Sequence, residues 1–348
     1  MFRRLWIVLL AAWLSGCNNF TDAEPMMAEY LERLSRVLEV EAVQSTSLPA
    51  ASPLPRRRER LQPLPDLELG MLDFLSLYGC ELQVVIGEKA SVLGRVMQPA
   101  NRLRYEVRFI REAQACLPEI DDPELRDDLE QAVASKRESL PLAIWNATWG
   151  SEEIERLLTL AKGYYPVEED GAGSADLVRD LRQLNSMVEQ LTDQQLDLSL
   201  ADLGAIHQRW QAEFRAGQLI NSARLLIASL DAGTEMLRVR INERPLCLNG
   251  NPNNQSDIVR NFFFAIYIEK IQPYMSRVSR SNDALIGELR RLARQQSAVM
   301  PESFENWHQR HLADGLESSL WWQLERAMEL HTRHWQQLLG QCGLRPGA

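Results

Sequence analysis

Catalytic templates are missing from this sequence. It holds no GxSxG, HExxH, phosphate-loop, GxGxxG or EF-hand pattern. That removes the usual nucleophile-elbow, zinc-protease, nucleotide and calcium readings. No two cysteines stand at CxxC spacing, so neither a zinc site nor a thioredoxin-like dithiol is expected. Long apolar runs are missing beyond the first twenty residues. The longest, FFFAIYI at 262–268, is far shorter than the roughly 20 residues that span a bilayer, and it reads as a buried helix segment. Strand alternation and internal repeats are absent. Positive charge is in deficit, with 38 Lys+Arg against 48 Asp+Glu and a formal net charge of −10. Such a chain repels phosphate backbones, and no nucleic-acid partner is expected. What is present is a 45% hydrophobic composition, enough to bury a substantial core.

The chain opens MFRRLWIVLLAAWLSGC. Arg3 and Arg4 form a positive start, and Leu5 to Leu14 an apolar stretch of signal-peptide length, too short to cross a membrane. Leu14-Ser15-Gly16-Cys17 then resembles a bacterial lipobox. Small residues let an extended chain enter a narrow peptidase site, and the thiol is the nucleophile that takes up a diacylglyceryl group. Lipidation of Cys17 is therefore expected. At about 0.8 kcal/mol per buried methylene, two or more acyl chains give a stable anchor. Asn18, not aspartate, follows the cysteine, which implies sorting to the outer membrane, facing the periplasm of a Gram-negative bacterium. Removing residues 1–16, which hold two arginines and no acid, leaves 332 of 348 residues and moves the formal charge from −10 to −12. The acyl anchor is the one attached group expected; no other cofactor is implied.

Four cysteines remain: Cys80, Cys116, Cys247 and Cys342. An even number in an oxidising compartment suggests two disulfides, with three pairings open. Cys80–Cys116 with Cys247–Cys342 is favoured, since each pair would tie neighbouring parts of one helical unit. Four reduced, buried thiols are the alternative.

The remaining pattern is helical, and the expected fold class is all-α: a multi-helix bundle, in one or two helical lobes, with an extended Pro-rich N-terminal strap. Residues 1–16 form the signal peptide, 17–46 the tether and first helix, 47–65 the Pro/Arg-rich linker or strap, and 66–348 the helical domain, with 164–176 as a candidate lobe boundary. In the first helix Met27, Leu31, Leu34 and Leu38 share a face. The strap holds five prolines and is expected to be extended. Its Arg56, Arg57, Arg58 and Arg60 read as a solvated charge run, with contact to anionic headgroups as the alternative. In 101–117, Leu103, Val107, Ile110 and Gln114 fall on one side. Asp122-Pro123-Glu124 is a helix start, as is Ser151-Glu152-Glu153. Leu177, Leu181, Leu184, Val188 and Leu191 make a two-heptad seam. Capping boxes are expected at Thr192–Gln195 and Ser199–Asp202. The last helices are placed at 258–278, 281–297, 303–312 and 316–340.

The block LSLYGCELQVVIGEKASVLGRVMQPANRLRYEVRFIREAQACL (75–117), with the lipobox, the strap and NFFFAIYIEKIQPYMSRVSR (261–280), resembles a family of gammaproteobacterial lipoproteins of unknown function. The resemblance covers most of the mature chain. It implies the lipoprotein reading and a Cys80–Cys116 bridge, and it lends no activity. Lys89-Ala90-Ser91 stands where an "ERNS"-like segment with asparagine is expected, so no chemistry is assigned to that loop.

Candidate chemistry is sparse. Four of five histidines lie near the C-terminus, as His308/His311 and His331/His334, each pair at i, i+3, and Glu305 gives one ExxH. Such residues could hold zinc or copper only if two helices packed in register. After a turn near Asp314-Gly315, however, His308 and His311 should face Trp321, so surface or capped histidines are the expectation. The acid pair Glu325/Glu329 reads as a solvated face. Ser76 and Ser91 have no histidine nearby in sequence. Trp307, Trp321, Trp322 and Trp335 could stack glycan sugars, but packing is the expectation. The composite expectation is a non-catalytic, outer-membrane-anchored accessory or interaction module with an envelope protein partner. The alternatives are an envelope enzyme using an unrecognised acid pair on glycan or peptide, and a carrier of an apolar ligand.

Overall fold

The computed structural model describes residues 23–43, 51–65, 77, 79–90, 97–168 and 173–344. The signal peptide expected over 1–16, Cys17, Ser76, Ser91 and residues 47–50 of the strap lie outside them. Among the described residues there is no strand, and the fold is all-α. No helix among them is long and apolar enough to cross a membrane.

The helices are α1 (Ala23–Leu38), the single turn α2 (Arg57–Arg60), α3 (Glu81–Ala90), α4 (Pro99–Cys116), α5 (Pro123–Thr148), α6 (Glu152–Leu157), α7 (Gly173–Thr192), α8 (Ala201–Trp210) and α9 (Arg215–Glu243). An unbroken helical rod then covers 254–295: α10 (Asn254–Phe262), a π-helical segment (Phe263–Ile271), α11 (Gln272–Ser281), a second π segment (Asn282–Ile286) and α12 (Gly287–Gln295). α13 (Glu302–His311) and α14 (Leu320–Gly340) complete the chain.

α9 is the central helix. Its small residues Ala216, Gly217, Ala223 and Gly233 are buried and let neighbours approach closely. A Cβ on Gly233 would stand 2.8 Å from the His331 ring, and one on Gly217 would stand 2.0 Å from the Thr159 carbonyl oxygen. α1 runs parallel to α9: Leu34 packs at Gly233, and Arg240 donates to the Leu38 carbonyl at 3.1 Å. α14 takes the same direction, from His331 beside Thr234 to Gln341 beside Ile241. The rod runs the opposite way, because Gln255 meets Val37 and Tyr274 meets Ser222. Met27, Leu34 and Leu38 are fully buried, joined by Tyr30, while Leu31 is only half-buried. The seam on α7 is buried throughout.

Local signals explain several ends. Asp122 caps α5 by accepting from Glu124 N at 2.9 Å, and Pro123 occupies the first turn, where its missing N–H costs nothing. Ser151 caps α6. Asn253 and Ser256 cap α10 reciprocally.

Five expectations are corrected. Thr192 ends α7 instead of starting a helix, because its hydroxyl bonds back to the Val188 carbonyl. Gln114 is exposed, and Ala113 takes its place on the buried face of α4. No break separates 278 from 281. The rod instead widens to π geometry. Pro273 has no N–H and its ring clashes with the carbonyl four residues back, and the i→i−5 register, seen where Gln272 N bonds the Tyr267 carbonyl, relieves that clash. FFFAIYI is thus partly π-helical, and Phe264 is 47% exposed. The strap is not wholly extended, since Arg57–Arg60 form a helical turn.

That turn carries the fifth correction. Arg60 is 0% exposed, not solvated. Its guanidinium donates to the Pro55 carbonyl at 2.8 Å, to the Trp149 carbonyl and to Glu155. The strap is stitched down elsewhere too. Trp145 Nε1 donates to the Arg60 carbonyl at 2.6 Å, and the Asn146 amide pairs with both backbone groups of Gln62 at 2.8 and 2.7 Å. These bonds satisfy backbone groups that proline-rich chain leaves without helix partners.

Candidate functional site

The cysteines fall into two pairs. Cys80 and Cys116 are bonded with Cα atoms 5.7 Å apart, and Cys247 and Cys342 with Cα atoms 5.2 Å apart. The first joins the start of α3 to the end of α4. The second joins the loop after α9 to the end of α14.

The four C-terminal histidines do not converge, and His311 and His331 are buried instead of lying at the surface, because each sits in a packed aromatic contact. His311 Nε2 lies 3.0 Å from the Ser52 hydroxyl of the strap, and burial lowers its pKa to about 4. His308 stacks on Phe304, and burial followed by the nearby Arg290 lowers its pKa. His331 is fully buried: Tyr30 lies 2.6 Å from Nε2 and Thr234 3.0 Å from Nδ1, and burial lowers its pKa to about 3. His334 Nδ1 lies 2.8 Å from the Leu330 carbonyl. Glu305 is exposed one turn from His308. Among the described residues, no group of three or more His, Cys, Asp or Glu is placed to hold a metal. Trp321 donates to the His311 carbonyl at 2.9 Å, the neighbour expected from the turn at 314–315.

Trp307, Trp321 and Trp335 are buried in packing contacts; only Trp322 is half-exposed. Glu325 and Glu329 both face solvent. Asp231 on α9 is the one carboxyl among the described residues whose pKa is raised, by burial.

One charged network lies inside the hairpin of α4 and α5. Glu106 accepts from Arg102 and from Lys136, each at 2.5 Å, and Lys136 also sits over the rings of Tyr105 and Phe109. Burial lowers the Lys136 pKa, with Glu106 opposing that shift. The ion pair is buried and joins the two helices.

A surface groove of about 760 Å³ runs between the strap and the segment that follows α6. Arg56 and Arg57 line one wall, Arg156 and Lys162 the other, with Glu152, Glu155 and Phe214 between them. Both acids are already paired: Arg57 bonds Glu152 at 2.5 Å, and buried Arg60 bonds Glu155. Lys162 lies 5.0 Å from the centre of the Phe214 ring. The far wall is held to α9, because Asn221 donates to the carbonyls of Leu160 at 2.9 Å and Gly163 at 2.8 Å. Sequence reading singled out the arginines of the strap but not Arg156, Lys162 or Phe214, which stand on separate turns with no shared period.

Among known protein families, residues 27–346 match one described as a protein of unknown function (DUF3080). No curated protein and no solved structure matches.

Proposed function

The chain belongs to the DUF3080 family, and from that premise we propose that it is an outer-membrane-anchored periplasmic lipoprotein, acting as a non-catalytic helical accessory module for an envelope partner. One observation carries the reading. The helix that follows the tether is part of the core, with Met27, Tyr30, Leu34 and Leu38 all 0% exposed. Cys17 precedes Ala23 by six positions, so the link to the body reaches at most about 20 Å. A lipid on Cys17 would hold the body against the bilayer by a fixed edge, as a docking module requires, and not at the end of a long leash.

The charged groups support the same reading. An enzyme using an acid pair on glycan or peptide calls for two carboxyls with raised pKa in one cleft, whereas Asp231 stands alone in that respect among the described residues. The groove is mixed in lining and open to solvent, which suits a surface contact better than storage of an apolar ligand.

The experiment is metabolic labelling with a fatty acid, followed by membrane separation on a density gradient and in-cell crosslinking. Acylated protein in the outer-membrane fraction, crosslinked to one envelope protein and released by Cys17→Ala, is the expected result. An unlabelled soluble protein, or a co-purifying glycan fragment in place of a protein, would sink the proposal.

A further inference from the structure

The anchored end of α1 and the basic groove are at the same end of the molecule. α1 and α9 run parallel, so Ala23 lies level with the first turns of α9. The Tyr164 hydroxyl feels the charges of both Glu24, at the start of α1, and Arg224 of α9. Tyr164 is two residues from Lys162, and Phe214 immediately precedes α9. The segment 160–165 is fixed to this end by the Asn221 bonds and by Tyr165 N donating to Ser222 at 2.8 Å. The opposite end carries the Cys247–Cys342 bridge and Arg240.

The charge at the groove runs against that of the body. Glu152 and Glu155 are neutralised by Arg57 and Arg60. Arg56, Arg156 and Lys162 are exposed and have no carboxylate partner among the described residues. A locally basic end on a chain of net charge −10 is a charge asymmetry, and such fields orient a protein at a charged surface.

We propose that this groove binds the phosphates of anionic phospholipid headgroups, using Arg56, Arg156 and Lys162, and so turns the body's strap face onto the membrane that holds its anchor. The proposal rests on the anchored-lipoprotein reading. A tether of six positions, at most about 20 Å, keeps this end beside the bilayer, where headgroup charge is felt over a Debye length of about 10 Å at 0.1 M salt. Guanidinium groups suit phosphate by their forked donors, and Lys162 adds a point charge steadied over Phe214. The strap supplies two of the groove's arginines, which gives a reason for its being stitched to the core instead of left loose.

The test uses the mature full chain with Cys17→Ala, so no acyl group contributes. Vesicles of phosphatidylcholine, with and without phosphatidylglycerol, are sedimented at low and high salt. The expected result is binding that requires phosphatidylglycerol and weakens in salt. Each cation removed should weaken it about fivefold, and the triple variant Arg56→Gln/Arg156→Gln/Lys162→Gln on the order of 100-fold. The matched variant Arg238→Gln/Arg244→Gln/Arg260→Gln changes the charge equally elsewhere and should bind as the parent does. Circular dichroism melting confirms that both variants fold; if the triple does not, the three single variants carry the test. No binding to anionic vesicles, equal binding to neutral ones, or equal loss in the matched variant overturns the proposal. Because the chain lacks the acyl group, this outcome is independent of the labelling experiment: lipidation can hold while the groove fails, and the reverse.

Discussion

Tyr30 Oη lies 2.6 Å from His331 Nε2, joining residues 301 positions apart. Trp335 Nε1 is directed at both, 3.1 Å from the tyrosine oxygen and 3.2 Å from Nε2. Burial lowers the His331 pKa to about 3 and raises that of Tyr30 well above its ordinary value. At neutral pH the tyrosine is therefore the donor and the neutral imidazole the acceptor. This bond fastens the first helix of the body, α1, to the last, α14.

Tyr30→Phe keeps the ring but removes the donor. Stability should fall by about 1–2 kcal/mol, the cost of a buried acceptor losing its best partner. Tyr30→Ala also opens a cavity and should cost about 3–5 kcal/mol. Urea unfolding of the two variants reads both values. Equal midpoints for Tyr30→Phe and the parent would show that the bond contributes nothing.

His331 also sets a pH dependence. Its pKa is about 3 in the folded protein against an ordinary 6.5 in the unfolded chain, so the unfolded chain binds more protons between those values. Its contribution is complete above pH 6.5 and is lost as pH falls toward 3. By pH 4 the loss should be about 3 kcal/mol. His311, depressed to about 4 and less buried, adds a smaller loss of the same sign. Urea midpoints from pH 7.5 to 4 should decline, and the decline should be shallower in His331→Gln. A slope identical in the two proteins would remove His331 as its source.

The two disulfides should not be equivalent. Cys247–Cys342 closes a separation of 95 residues and Cys80–Cys116 one of 36. Loop-closure entropy then assigns about 4.7 and about 3.8 kcal/mol. Cys247→Ala/Cys342→Ala should melt lower than Cys80→Ala/Cys116→Ala in calorimetry. Non-reducing peptide mapping of protein isolated from its native cells without reductant should recover both links, and four alkylatable thiols would contradict them.

Glu106 and Lys136 form a buried pair that is costly to break and cheap to replace. Glu106→Gln leaves the Lys136 ammonium without its counter-charge and should cost about 3–5 kcal/mol, whereas Glu106→Leu/Lys136→Met should cost far less or stabilise. Denaturant midpoints of the three proteins decide this. A double variant as unstable as Glu106→Gln would show that the pair is worth more than its desolvation.

Much of the secondary structure was legible because its causes are local. The apolar period of Met27, Leu34 and Leu38, the Asp122-Pro123 start and the seam from Leu177 to Leu191 each lie within a few turns of chain. The misreadings arise where a distant partner intervenes. Thr192 resembles a cap by type, yet its hydroxyl finds the Val188 carbonyl. Arg60 looks like its neighbours in a charge run, yet Glu155 and the Trp149 carbonyl take it out of solvent. Of the groove, only the strap's arginines were visible.

The sequence by itself determined that this chain is helical, that Leu14-Ser15-Gly16-Cys17 resembles a lipobox, and that four cysteines besides Cys17 can pair. Periodicity, caps and peptide motifs act between near neighbours and need no fold to be read. Tertiary structure alone decided which arginine is buried, that the histidines serve packing at separate places, and that α1 begins at the basic end of the molecule. Those outcomes depend on burial and charge pairing between segments far apart in the chain, and such neighbours exist only once the helices have packed.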